Sequence, residues 1–365
     1  MLVSMKLRNV IRRVQRLPRT AWVAPALVTI WLAQGSTFVA LKVGVSTVPP
    51  FLFSGARFVL VGVLLLAWSA WKAGWRIDVD RRESLIAAAT GAGFFFAGQG
   101  SATWSSQFLP AGIVAVLNST MPLWAAMIGW VVFRTRIRIL GLLGLIAGFA
   151  GVAFLAWPGT GTVIVVGPAL LLVGGAACWA GAALVVNRSG IGRRPVLITA
   201  LQTLVGGVLQ MAASVATGEV SQAAPHALLT AIPAFIYLVM VSSLIGFPVL
   251  TWLLSQERVD IPNTAGYVAP VIALALGWLL LGEQVTPRTL AGVAVILGGV
   301  ALIVWGSASR TRSAAKAESE PTVKSKADLS RTRPSTLGPL RSLMGDASKA
   351  REPFTPLATT WWRAQ

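Results

Sequence analysis

Residues 118–157, NSTMPLWAAMIGWVVFRTRIRILGLLGLIAGFAGVAFLAW, and residues 266–305, GYVAPVIALALGWLLLGEQVTPRTLAGVAVILGGVALIVW, align without a gap at a shift of 148. Ten of the forty positions are identical: Pro122 with Pro270, Ala125 with Ala273, Gly129 with Gly277, Trp130 with Trp278, Leu142 with Leu290, Gly144 with Gly292, Gly151 with Gly299, Val152 with Val300, Ala153 with Ala301 and Trp157 with Trp305. Two hairpins rich in Leu, Ala and Gly share some positions through composition alone, but matched Trp and Pro are harder to reach that way. The same shift also lays Trp31 on Trp179. A repeat of this period makes the fold a duplication, so the unit must be sought on either side of the aligned stretch.

A hydrocarbon core of roughly 30 Å takes about 20 mostly apolar helical residues. Working outward from the repeat, such stretches fall at 22–44, 50–71, 84–106, 110–133 and 139–157, then at 164–187, 196–217, 228–254, 262–282 and 288–306. Pro110 and Pro262 stand where a first helical turn tolerates proline, and Pro49-Pro50 and Pro287 separate neighbours. The chain is 55% hydrophobic and 12% charged, an apolar surplus that one soluble core does not hide and that lipid does. The expected fold is therefore an all-α integral membrane protein of ten transmembrane helices in two five-helix repeats, 22–157 and 164–306, joined by a linker at 158–163. The first apolar run is too long for a cleaved signal peptide and reads as an uncleaved first helix.

The net charge of +19 would suggest nucleic acid in a soluble protein. Here the basic residues lie in short loops and at the two ends, so they report topology, and no nucleic-acid partner is expected. With the amino terminus inside, the inner side collects Lys6, Arg8, Arg12, Arg13, Arg16 and Arg19, then Lys72, Arg76, Arg81 and Arg82, then Arg134, Arg136 and Arg138, then Arg188, Arg193 and Arg194, and finally Arg258. Only Lys42 and Arg288 fall outside. Both termini are then cytoplasmic: a basic segment at 1–21 and a basic tail at 307–365, rich in Ser, Thr, Pro and Ala, expected to be disordered and drawn to anionic headgroups. Five spans per repeat is odd, so the second copy is inverted. Its loops agree, since Arg134-Thr135-Arg136-Ile137-Arg138 corresponds to a segment holding only Glu283 and Arg288. Inverted repeats place a binding site near the midplane and permit alternating access.

Trp31-Leu32-Ala33-Gln34-Gly35-Ser36-Thr37-Phe38, Ala56-Arg57-Phe58, Leu109-Pro110-Ala111-Gly112 and Thr120-Met121-Pro122-Leu123 resemble the EamA-type family of the drug/metabolite transporter superfamily. So do Ala265-Gly266-Tyr267-Val268-Ala269-Pro270-Val271, Leu281-Gly282-Glu283, Gly292 and Gly298-Gly299. The resemblance covers roughly residues 24–306 and implies a ten-helix transporter with a central cavity, many such proteins exporting amino acids, purines or other metabolites. Where that family usually has an acid after the fourth helix, this chain has Arg134-Thr135-Arg136, so a pairing that relies on that carboxylate is not expected to carry over.

Arg57 is the one charge well inside a span, roughly 10 Å below the outer surface, and an ionisable residue at such depth points to function. Snorkelling of its stem and capping of carbonyls in a broken helix are equally open readings. Lys42, on the same side, suits a shared site for a carboxylate or phosphate. Gln34, Ser36, Thr37, Gln99, Asn118 and Asn263 are the polar candidates for substrate contact, with Tyr267; interhelical bonding is the plainer reading of each. Gln34, Asn118 and Tyr267 stand beside Gly or Pro able to open a helix. Trp31 and Trp179 lie deep enough to wall a cavity, whereas Trp68, Trp71 and Trp157 sit near span ends. Gly144 and Gly148 have small-xxx-small spacing, for packing within the fold or between protomers as a homodimer.

The acids Asp78, Asp80, Glu83, Glu219, Glu257, Asp260 and Glu283 fall in loops or at interfaces, and His226, the sole histidine, falls in an outer loop. No buried proton relay is visible, which predicts facilitated diffusion or exchange. The single cysteine, Cys178, has no disulfide or zinc partner nearby, and no nucleophile sits with its base, so neither metal, cofactor nor enzymatic chemistry is expected. The sequence reads as a bacterial inner-membrane transporter exporting a small metabolite. Uptake of an anionic metabolite, or a scaffold acting through the basic tail, are the rival readings.

Overall fold

Apolar runs punctuated by proline and glycine become ten helices in the computed structural model, which describes residues 23–72, 79–134, 139–157, 165–189, 191, 195–246 and 265–319. These are α1 (Val23–Val45), α2 (Pro50–Lys72), α3 (81–105), α4 (Ala111–Val131), α5 (Ile139–Ala156), α6 (Val166–Ser189), α7 (Pro195–Ala216), α8 (Pro225–Ile245), α9 (Ala265–Leu281) and α10 (Pro287–Ser319). A single helical turn, Glu219–Gln222, follows α7. Six of the ten are long and apolar enough to cross a membrane, and α5, α9 and α10 contain shorter apolar stretches, Ile139–Leu155, Val268–Leu281 and Pro287–Ile303. Large apolar side chains cover the outside: Trp130 and Trp278, a matched pair of the repeat, are 50% and 62% exposed, as befits positions that meet lipid.

Three helices are irregular. α4 breaks at Ser119–Thr120, directly after Asn118 and before Pro122. α3 is α-helical over Arg81–Gly91, π-helical over Ala92–Gln99 and α-helical again over Gly100–Ser105. α8 passes from α-helix at Pro225–Tyr237 to π-helix at Leu238–Ile245, with Pro233 just upstream of the change. The π segments thus occupy the third helix of each repeat, eight residues long in both. By contrast α1 runs unbroken through Gly35. That glycine serves close approach, since a Cβ there would lie 2.5 Å from Ile272 Cγ2 on α9.

Helix contacts reveal the duplication. α2 packs on α7, α5 on α10 and α4 on α9, and each pair is its own image when helix n is exchanged for helix n+5. α1 on α9 is matched by α6 on α4, α3 on α6 by α8 on α1, and α3 on α7 by α8 on α2. Backbone meets backbone at the self-paired seams. A Cβ on Gly144 would stand 2.5 Å from Gly299 O, and one on Gly207 would stand 2.6 Å from Val59 N. The small-residue face of α5 is therefore used against α10 inside the fold. An odd number of spans in each repeat turns the second copy over, giving two inverted five-helix repeats.

One sequence expectation changes here. The tail was expected to lose structure from 307, yet α10 continues to Ser319. The run Ser307 to Ser319 is dominated by Ala, Arg, Lys and Glu, good helix formers that extend an already nucleated helix. Residues 1–22, the linker and the chain beyond 319 lie outside the described residues, as do Asn263 and Pro262.

Candidate functional site

Arg57 sits on α2 and is 3% exposed. Its Nη2 donates to Ser242 Oγ at 3.1 Å and Ser243 Oγ at 3.2 Å, both on the π segment of α8. Both serines lie in a π-wound turn, a rare local geometry that is frequent at functional sites. The guanidinium also lies 4.9 Å from the Phe58 ring centre. Phe58 meets Phe95 at 4.9 Å, and Phe95 and Phe94 meet Trp179 at 6.0 and 4.8 Å. Phe94 and Phe95 belong to the other π segment. An aromatic chain thus joins Arg57 on α2 to Trp179 on α6 through α3, each contact of the order of 1 kcal/mol.

Ser36 and Tyr237 share a hydrogen bond of 2.6 Å that ties α1 to α8, and Ser36 Oγ also donates to Leu32 O. Thr37 is buried and donates to Ala33 O, a bond within its own helix. Gln34, Gln99 and Asn118 are half-buried, and their side chains form no hydrogen bond among the described residues. Trp31 is half-buried on α1. Tyr267 lies in the first turn of α9, but its side chain, like Asn263, falls outside the described residues.

Lys42 has a different neighbourhood from the one its charge suggested. Its Nζ donates to Leu109 O at 3.0 Å and Gln107 O at 3.3 Å, carbonyls in the turn between α3 and α4. Beside it Glu283, between α9 and α10, accepts from Ala111 N at 2.7 Å and Gly112 N at 3.5 Å. A carboxylate on the first amides of a helix satisfies donors that the helix leaves unpaired and favours the positive end of its dipole. Lys42 lies within the electrostatic reach of Glu283. Together they tie α1, α4 and the α9–α10 turn at one end of the bundle. Glu219 acts similarly, accepting from Leu52 N at 2.9 Å.

Sequence reasoning missed Tyr237, Ser242, Ser243, Phe94 and Phe95. The signals were present but faint: Tyr237 is one of two tyrosines, and Ser242-Ser243 is a hydroxyl doublet in an apolar run.

The model of the EamA-like transporter family matches twice, at residues 21–157 and 167–305. The chain belongs to the EamA-like transporter family. Like other members of this family it is a multi-pass membrane transporter and not an enzyme. It is 30% identical over 284 residues to the uncharacterized inner membrane transporter YedA of Escherichia coli (strain K12), covering 77% of this chain and 90% of YedA. It is 24% identical to a protein named as a probable amino-acid metabolite efflux pump of Salmonella typhimurium (strain LT2), covering 79% and 95%. It is 25% identical to one named as a probable terminal-alkyne amino-acid exporter of Streptantibioticus cattleyicolor, covering 82% and 98%.

Proposed function

We propose that this EamA-family transporter exports a small amino-acid-related metabolite by alternating access, with substrate bound between the inverted halves and both termini cytoplasmic. The observation that carries the reading is the exchange symmetry of the helix contacts. Large contacts between the repeats, α2 on α7, α5 on α10, α1 on α9 and α4 on α9, have images under exchange of halves, so a rearrangement that opens one end has a counterpart of similar packing that opens the other. The broken α4 and the two π segments supply backbone and side chains that regular helices would keep to themselves. Gln34, Gln99 and Asn118, whose side chains make no hydrogen bond among the described residues, are the polar groups offered to a substrate, with Trp31 on α1 and Trp179 on α6 as rings. Two relatives named for amino-acid export support both the substrate class and the direction. Export is tested in cells lacking their own amino-acid efflux pumps and loaded by peptide feeding. Expression of the protein should lower the internal amino-acid pool and raise the external one. Equal pools with and without the protein, at verified membrane levels, would contradict the proposal.

A further inference from the structure

We infer that Arg57, Ser242 and Ser243 form a carboxylate-binding site on the α2–α8 seam, so that the metabolite carried bears a carboxylate next to an apolar body. This deepens the transport reading and rests on it. A buried guanidinium taken from water costs several kcal/mol unless an anion meets it. Among the described residues none does: Glu219 is engaged with Leu52 N, Glu283 with Ala111 N, and Asp80 and Glu83 stand at the start of α3. Arg57 Nε is itself buried with no partner.

The two serines sharpen the point. Each accepts from Arg57 and so keeps its own hydroxyl hydrogen. Elsewhere in the bundle hydroxyls return that hydrogen to a carbonyl one turn earlier, as Ser101, Ser106, Ser119 and Thr203 do. Among the described residues Ser242 and Ser243 make no such bond, and they lie where the helix is π-wound. One N–H and two O–H groups therefore stand beside a positive charge with no acceptor among the described residues. A carboxylate, charged and purely an acceptor, answers all three.

The same seam indicates the rest of the molecule. Towards the end capped by Glu219, α2 and α8 part around an apolar cavity of about 400 Å³ lined by Val48, Phe53, Ala56, Ile232 and Phe235 among others. Phe53 is one helical turn from Arg57, and Phe53 and Phe235 meet edge to face at 5.7 Å. A branched or aromatic side chain is what such a lining accepts.

The test is thermal unfolding of the purified full chain with leucine, leucinamide, isovalerate, isovaleramide and inorganic phosphate at constant ionic strength. Leucine and isovalerate should raise the melting temperature with concentration while both amides leave it unchanged. Arg57→Gln should abolish the protection. Ser242→Ala with Ser243→Ala, which keeps the cation and removes two donors, should raise the half-protecting concentration about tenfold, and it carries the test if Arg57→Gln fails to fold. Protection by the amides equal to that by the acids, protection by phosphate alone, no protection by any acid, or an unchanged midpoint in the serine variant would each overturn the site. If cells still export while the acids fail to protect, the transport reading stands and this inference falls.

Discussion

The hydrogen bond between Ser36 and Tyr237 joins two helices through hydroxyls that have other recourse, since Ser36 also bonds within α1. Interhelical hydrogen bonds in membranes average about 0.6 kcal/mol. Tyr237→Phe should therefore cost about 0.5–1.5 kcal/mol in a denaturant titration of the purified protein; a loss above about 3 kcal/mol would show that Tyr237 supports a larger network. Arg57 was legible as a candidate because one charge in an apolar run stands out against its neighbours. Its partners were not, because serines are ordinary in spans and nothing in the sequence pairs a hydroxyl doublet on α8 with a cation on α2. The partners of Lys42 were hidden for a related reason. Its charge is visible in sequence, but the Gln107 and Leu109 carbonyls reach it only once α3, α4 and α1 are folded together.

At the scale of elements, glycines set how closely helices approach, and the structure separates those that matter from those that do not. A Cβ on Gly299 would meet Gly144 O and Gly148 N at 2.6 Å, while one on Gly298 would meet nothing within 4 Å. Gly299→Ala should lower stability by about 1–3 kcal/mol through forced separation of α5 and α10, and Gly298→Ala, its neighbour on the same helix, should stay within ~0.5 kcal/mol of the parent. Equal losses in thermal melts would mean that the α5–α10 seam is looser than described. The ten apolar stretches and the small-residue face of α5 were readable because length and spacing encode them. The π segments were not, because Ala92–Gln99 and Leu238–Ile245 carry no composition that distinguishes them from α-helix. The helix over 307–319 was hidden by its polar composition, which resembles a linker until it is seen to continue α10.

For the molecule as a whole, the two ends are not equivalent. Glu283 joins the halves at one end, beside Lys42, whereas the position related to Glu283 by the repeat falls in Arg134-Thr135-Arg136, which has no acid. Glu283→Gln keeps a weaker acceptor and removes the charge at the start of α4, so that end should open more often. In a Cys178→Ala background, a cysteine at the fully buried Leu109 should then react several-fold faster with a membrane-impermeant maleimide than in the parent; an unchanged rate would show that Glu283 only caps α4. The inverted repeat itself was legible from ten matched positions in forty, because Trp and Pro at fixed spacing survive where apolar residues interchange. The pairing of α2 with α7 and α1 with α9 was not, since nothing in the order of helices dictates which seams close.

If two inverted halves carry a small metabolite by alternating access, the protein should show counterflow in proteoliposomes. Purified protein is reconstituted with unlabelled leucine inside, and entry of trace labelled leucine is followed without any imposed ion gradient. A carrier that alternates predicts transient accumulation of label above equilibrium, saturating with internal leucine and lost in protein-free vesicles. Entry that is linear in concentration and indifferent to leucine on the far side, or no entry for leucine and for a wider panel of amino-acid-related metabolites, would rule out alternating-access transport of this class.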